Sequence, residues 1–569
     1  MQFAFPIIIS IIGIVAFSYM IERRSLRRSL QRRLHASFGQ KPDRKEEAPN
    51  YKETAVYYNL LKRTLSEDEL VDEITWEDLE MDRVFGRINQ TVSCAGEQIL
   101  YAWLHYLPRD KELLKKREKV IQYFAGHEKE REKAWLILHS LRKDSVNYYL
   151  PEYMEQLEFQ GIPFVLFCKC LLCSLVLLIL CVLITGNPLA RALAGINFFV
   201  NLAVYAFSKT KYEIQMEALY GIIRTVKTAD AIFPLCRESF MEEEAQAVAE
   251  SLGRLKSVSR MVLFLEQKKQ ARLSGDMIAL AGDYLAGAFM WDFILYDRAV
   301  RLLLKRNENF LRLYRFAGEA DACISVASFR KSMDFYCVPR FTKERILEAE
   351  RLCHPLLEHG VANDFRLKKN VILTGSNASG KSTFVKAAAV NLILGQSIHT
   401  CVAEKMLMPD ILVLTSMAVR DDVLSGESYY IREIRYLKRM IERSGRSRLV
   451  FCGIDEILRG TNTKERIAAS LAVLTYLNKR NCILMTATHD LELAQELGGH
   501  FENYHFCESV EEGDVLFDYK LKKGISCTTN ALRLLKAMNF PEEIVREARG
   551  KIAEAQGIPE EGQEEKGEV

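Results

Sequence analysis

The nonapeptide Gly375-Ser-Asn-Ala-Ser-Gly-Lys-Ser-Thr383 constrains this chain more than any other feature. It follows an apolar run, Val371 to Leu373, and leads into a helix-like segment beginning at Lys381. A strand, a glycine-bearing turn and a helix, in that order, form a frame for nucleotide phosphates. Glycines at 375 and 380 let the backbone turn tightly, so that its N–H groups converge on phosphate oxygens, and the helix N-terminus adds a favourable partial charge. In this frame Lys381 reaches the β- and γ-phosphates, Ser382 offers its hydroxyl to Mg²⁺, and Asn377 and Thr383 complete the loop.

Two later segments supply what a phosphate cradle lacks. Arg448 to Glu456 is an apolar strand ending in two acids, which places them at the carboxyl edge of a parallel sheet. Asp455 is the candidate Mg²⁺ partner and Glu456 the candidate base or water-orienting group. Cys482 to His489 is a third apolar strand with a polar end, and His489 at that end would face the γ-phosphate. The segment Leu424-Ser-Gly-Glu-Ser-Tyr-Tyr430 opens a helix whose apolar positions are Tyr430, Ile434, Leu437 and Ile441. Its Ser and Gly form either a helix cap or an anion site, including one for a phosphate bound to a second subunit.

Together these motifs resemble the ATPase domain of the MutS family, a branch of the ABC-type ATPases. The family's G-P-N-M-G-G-K-S-T loop appears as GSNASGKST, and its D-E-I-G-R-G-T-S-T string as Asp455-Glu-Ile-Leu-Arg-Gly-Thr-Asn-Thr463. Its G-x-S-T-F-x-x-E signature is matched by Gly426 to Glu433, with Tyr429 and Tyr430 replacing Thr and Phe while Ser428 and Glu433 are kept. Arg351 to Pro355 and Val361 to Phe365 resemble the family's His-Pro and V-x-N-D segments, and the resemblance puts Asn363 beside the adenine. Phe517 to Gly524 and Asn530 to Ala548 resemble its closing strand and helices. Weaker similarity reaches Asp72-Glu-Ile-Thr75, Leu79-Glu-Met-Asp82 and Gly96 to Leu104, the start of the family's helical levers.

The resemblance implies an α/β P-loop ATPase domain of ABC/MutS type at the C-terminal end, preceded by a mainly α-helical lever domain, here with transmembrane helices. It implies ATP and Mg²⁺ as cofactors, a homodimer in which Ser428 completes the other subunit's site, and DNA as a partner. The family's mismatch reader is an N-terminal domain with a Phe-x-Glu wedge, for which no room is expected ahead of Val71. The triplets at Phe240, Phe264 and Phe506 are read as coincidence.

Three apolar runs point to a membrane. Phe3 to Ile21 is long enough to cross a bilayer and is followed by arginines at 23, 24, 27, 28, 32 and 33, the order of a retained anchor rather than of a cleaved leader. Pro163 to Thr185, the turn Gly186-Asn-Pro188 and Leu189 to Ser208 read as a membrane hairpin, the alternative being two buried helices of a soluble core. Three crossings leave the bulk of the chain in the cytoplasm of a multi-pass membrane protein. The expected divisions are an anchor over 1–21, a basic polar linker over 22–70, helical core over 71–162 and 209–330 around the hairpin 163–208, the ATPase domain over 331–548, and a disordered acidic tail over 549–569.

The 14 cysteines show no metal-ligand spacing and read as reduced hydrophobes. A net charge of only +3 gives no global field favouring nucleic acid. The local run Lys268-Lys-Gln-Ala-Arg272 is either a DNA contact or a solvated helix face. The function that the resemblance implies is that of an ATP-dependent, membrane-anchored DNA-binding ATPase of mismatch repair. Its rival is a membrane-tethered mechanical ATPase that acts without DNA.

Overall fold

The computed structural model describes residues 4–42, 51–155, 164–273, 287–376, 379–417, 429–511, 514–525, 535 and 540–555. Asn377, Ser428 and the tail beyond Ala555 lie outside the described residues, as do the side chains of Phe264 and Lys268 to Arg272. The chain divides into two compact units, one of residues 1–66, 85–106 and 110–334, the other of 67–84, 107–109 and 335–569.

The first unit is helical. Its central element, Asn307–Lys331, packs against Cys94–His105, Lys111–Gly126 and Pro188–Cys236. The junction with Cys94–His105 is polar. Ser93 caps that helix by accepting from the Gly96 amide at 3.0 Å, and buried Asp321 accepts from the Ser93 amide (2.8 Å), the Ser93 hydroxyl (2.5 Å) and the Val92 amide (3.1 Å). Burial pushes the Asp321 carboxyl up to about 6, against the lowering effect of those donors.

Residues 22–70 depart from the expected linker. One helix runs from Ala4 to Ser37, past the anchor boundary at Ile21, and buries Leu34, with Phe38 buried just beyond it. A short helix, Val56–Lys62, buries Val56, Tyr57, Tyr58 and Leu60. The described part of the segment is largely helical, and its polar composition is that of helices with one packed face.

Val165–Thr185 and Pro188–Cys236 form a helical hairpin. Gly186 closes the first helix at φ 64°, a conformation open to glycine, and the Asn187 side chain caps the second by accepting from the Leu189 amide at 2.8 Å. Val165–Thr185 and Pro188–Ser208 are long and apolar enough to cross a membrane, with mean hydropathies of 2.9 and 1.4. Only 11% and 17% of these stretches are buried within the chain. The run Phe3 to Ile21 is helical from Ala4, but most of its side chains lie outside the described residues.

The second unit holds two sheets. In the smaller, β1 (Arg340–Thr342), β5 (Lys405–Pro409), β2 (Leu347–Leu352) and β3 (Asn363–Leu367) lie side by side in that order. The larger runs β10 (Asp514–Lys523), β9 (Phe501–Glu511), β4 (Asn370–Thr374), β8 (Cys482–Ala487), β7 (Leu449–Asp455) and β6 (Ile411–Ser416). All its pairings are parallel except β10 with β9. Every residue of β4, β6 and β8 is buried, the pattern of strands covered on both faces.

Residues 67–84 belong to this second unit rather than to the helical core that was expected to begin at 71. Asp72 caps the helix Glu73–Asp78 and accepts from Arg439 Nη1 at 3.0 Å. Asp78 accepts from the Thr415 hydroxyl (2.8 Å) and the Met417 amide (3.0 Å) at the end of β6. Asp68 pairs with Arg443 and Arg446, and Glu80 with Lys386 at 2.9 Å. Hydrogen bonds from Lys386 and Arg83 hold the Glu80 carboxyl down at about 2.

Candidate nucleotide site

Three strand ends meet at one edge of the larger sheet. Leu373 pairs with Ala487, which also pairs with Asp455, so the chain leaves β4, β7 and β8 at the same level. The bonds continue past the strands, Thr488 N donating to Leu373 O and Glu456 N to Ala487 O, both at 2.9 Å. This register gathers the loop at Gly375, the acids Asp455 and Glu456, and His489.

The loop's backbone requires its glycines. Gly375 has φ 140° and Gly380 φ 101°, both in the left-handed half of the map, and Gly380 caps the helix Lys381–Ser397. A Cβ at Gly375 would come within 2.9 Å of the Phe506 carbonyl oxygen. Lys381 is buried and donates through Nζ to the carbonyl oxygens of Gly375 (2.6 Å) and Ser376 (2.7 Å). Ser382 is half-buried and Thr383 exposed on the first turn of the helix.

Asp455 and Ser382 form the candidate metal centre. The Ser382 hydroxyl hydrogen-bonds to the Asp455 carboxylate, while burial pushes that carboxyl's pKa up. Asp455 Oδ1 is buried with no hydrogen-bond partner among the described residues. An orphaned carboxylate oxygen beside a hydroxyl is a hard, all-oxygen donor set, and it suits Mg²⁺.

Glu456 is buried at 8% exposure, and its backbone takes φ 57°. Burial raises its pKa, but the hydrogen bond from His489 and the charges of Arg459 and His489 outweigh burial and lower it. His489 Nδ1 lies 3.5 Å from Glu456 Oε1, and that contact raises the histidine's pKa. Arg459, which was not singled out from the sequence, pairs with Glu456 Oε2. A basic residue three positions after an acid was the available signal.

Beside the loop lies a cavity of about 480 Å³, lined by Cys353, His354, Asn363, Phe384 and Tyr519 among others. Asn363 lines it, yet its amide is already engaged: Nδ2 donates to Tyr519 O at 2.9 Å and Oδ1 accepts from Leu521 N at 2.8 Å. It ties β3 to β10 and shapes the wall. Burial, then the charge of Lys386, pushes His354 down to about 4, so it is neutral at pH 7.

The helix Tyr429–Ser444 buries Glu433, Leu437, Met440 and Ser444, with Tyr430 and Ile441 packed at the edge. Ile434, expected on its apolar face, is 39% exposed. The buried stripe runs through 433, 437, 440 and 444 because Glu433 turns inward to a backbone amide, a position no hydrophobic pattern marks.

Residues 371–556 match the family model of MutS domain V. The chain is 29% identical over 265 residues to the DNA mismatch repair protein MutS of Thermotoga maritima, an overlap of 45% of this chain and 33% of the relative. It is 28% identical over 271 residues to the DNA mismatch repair protein MutS of Thermus thermophilus, covering 44% and 33%. It is 29% identical over 285 residues to the DNA mismatch repair protein MSH3 of Meyerozyma guilliermondii, covering 46% and 29%. The chain spans about a third of the length of the curated relatives it matches.

Proposed function

We propose that the protein, whose residues 371–556 match the MutS domain V model, is a mismatch-repair-type ATPase that hydrolyses ATP to ADP and phosphate and couples the reaction to movement. The supporting observation is the common level at which β4, β7 and β8 deliver Lys381, Asp455, Glu456 and His489. Lys381 and the amides of the loop Gly375 to Thr383, Asn377 among them, bind the phosphates. Ser382 and Asp455 hold Mg²⁺, which when bound offsets charge on the phosphate oxygens. Glu456, kept ionised by its neighbours, orients the attacking water and accepts its proton, and His489 steadies that carboxylate from beside the γ-phosphate position. Asn363 shapes the adenine wall without spending its amide on the base.

In this reading the protein is a homodimer, with Ser428 of one subunit reaching the other's nucleotide, and DNA is the partner. Glu456→Gln is expected to bind ATP normally while turnover falls by a factor on the order of 100 or more. Turnover equal to that of the unmodified protein would refute the assignment. For DNA, binding of the full chain to duplex is expected to fall steeply with salt. No retention at low salt would instead favour a mechanical ATPase acting on a protein or membrane partner.

A specific observation supports a membrane setting for either version. The hairpin exposes Leu183 (76%), Ile184 (82%) and Phe207 (85%), side chains that water disfavours and lipid accepts. We therefore place the hairpin in the cell membrane, with residues 22–162 and 209–569 in the cytoplasm where ATP is found. Recovery in the membrane pellet after alkaline carbonate washing is the expected result, and release into the wash would contradict it.

A further inference from the structure

The turn that follows β7 is strained and is held from one side. Glu456 and Leu458 have φ of 57° and 58°, a region that disfavours residues with a side chain, and two such positions in three persist only when the surroundings over-determine them. The over-determining element is the helix Tyr429–Ser444. Glu433, 3% exposed, accepts from the Leu458 amide through Oε1, while its Oε2 is buried without a hydrogen-bond partner among the described residues. The Leu458 side chain, 4% exposed, sits in one apolar cluster with Leu437 and Met440 of that helix. Gly460 closes the turn beneath Tyr430, where an added Cβ would come within 2.8 Å of the tyrosine's own Cβ. The helix is fixed in its turn by Arg439, which donates to Asp72 at 3.0 Å and to Thr415 O at 2.5 Å.

We infer that Glu433 and Leu458 are positioning residues for the hydrolytic carboxylate: they lock the turn 456–460 to the helix that follows position 428, so the two move as one body and Glu456 is aimed by that helix. This rests on the ATPase reading and extends it. Neither residue is placed to touch nucleotide; each acts through the backbone that carries Glu456. Any displacement of the first turn of the helix, whatever engages it, is delivered to the carboxylate through the backbone hydrogen bonding of Glu433 and one packed side chain. The lock also accounts for a carboxylate buried beside a backbone amide, where a leucine or methionine would otherwise fill the stripe.

The test compares steady-state ATP hydrolysis by the full-length protein and by Glu433→Ala, Glu433→Gln and Leu458→Gly, with melting curves as a folding control. Glu433→Ala is expected to lower kcat about tenfold or more, since small misplacements of a reacting group are costly, while KM for ATP stays within about twofold. Glu433→Gln, whose carbonyl oxygen still accepts from Leu458 N, is expected to restore most of kcat. Leu458→Gly, which relaxes the backbone but removes the packed side chain, is expected to behave as Glu433→Ala does, and it remains informative if that variant fails to fold. Unchanged kcat in a folded Glu433→Ala or Leu458→Gly protein, a rise in KM in place of a fall in kcat, or a Gln variant as impaired as Ala would overturn the inference while leaving the ATPase reading intact. No turnover by the unmodified protein would overturn both.

Discussion

Replacing Asp321 with asparagine is expected to remove a pH dependence that one buried carboxyl imposes on the helical unit. Asp321 is fully buried and bonded to Val92 and Ser93, and its pKa lies at about 6 in the fold against an ordinary 3.8. The folded protein therefore holds a proton between these values that the unfolded chain has released. With a raised carboxyl the stabilising contribution is complete below about pH 4, declines as pH rises through 6, and is absent at 7. Converted at about 1.4 kcal/mol per pH unit, the difference is roughly 3 kcal/mol. Asparagine keeps an acceptor for the Ser93 amide and does not ionise. The measurement is urea unfolding of both proteins from pH 4 to 7, followed by amide exchange protection in Cys94–His105. The gap between wild type and Asp321→Asn should shift by about 3 kcal/mol over that range, in the direction that favours wild type in acid. Parallel pH profiles would show that the carboxyl titrates normally and that the reasoning from burial is wrong.

Three further outcomes concern the second unit. Chelating Mg²⁺ is expected to stop hydrolysis, and Asp455→Asn should raise the Mg²⁺ concentration needed for half-maximal turnover about tenfold or more, read by titrating MgCl₂ at fixed ATP. An unchanged requirement would separate Asp455 from the metal. Breaking the Glu80–Lys386 pair by Glu80→Gln should lower stability by about 0.5–1 kcal/mol, the scale of a partly exposed ion pair, as measured by thermal melting; no change would reduce the pair to a surface contact.

The convergence of the candidate site was legible in the sequence because its residues lie in contiguous strings. A phosphate loop needs glycines at fixed offsets from a lysine, and Gly375, Gly380 and Lys381 carry that requirement in seven residues. Parallel strands buried on both faces read as continuous apolar runs, so β4, β7 and β8 and the polar residues at their ends could be placed in advance. What stayed hidden is non-local. Glu80 and Lys386 are 306 positions apart, and no local pattern announces that residues 67–84 fold with the second unit. Along Tyr429–Ser444 apolar spacing correctly marks Tyr430, Leu437 and Ile441 as packed, but it adds the exposed Ile434 and passes over Glu433, whose backbone partner lets it be buried. Residues 22–70 read as a basic, polar linker, yet Tyr57 and Tyr58 are inside.

The second unit is assembled from stretches that lie far apart along the polypeptide, and this has a consequence for biosynthesis. At about 5–20 residues per second, Glu80 leaves the ribosome some 15–60 s before Lys386 is made. Through that interval Asp68, Asp72 and Asp78 carry charges with their arginine and hydroxyl partners not yet synthesised, so the segment stays solvated while the helices after it emerge. A fragment cut to begin at 335 would inherit the complementary problem, leaving Arg443 without Asp68 and Arg439 without Asp72. Dissection of this protein should carry residues 67–84 along, as a co-expressed peptide or a rejoined segment.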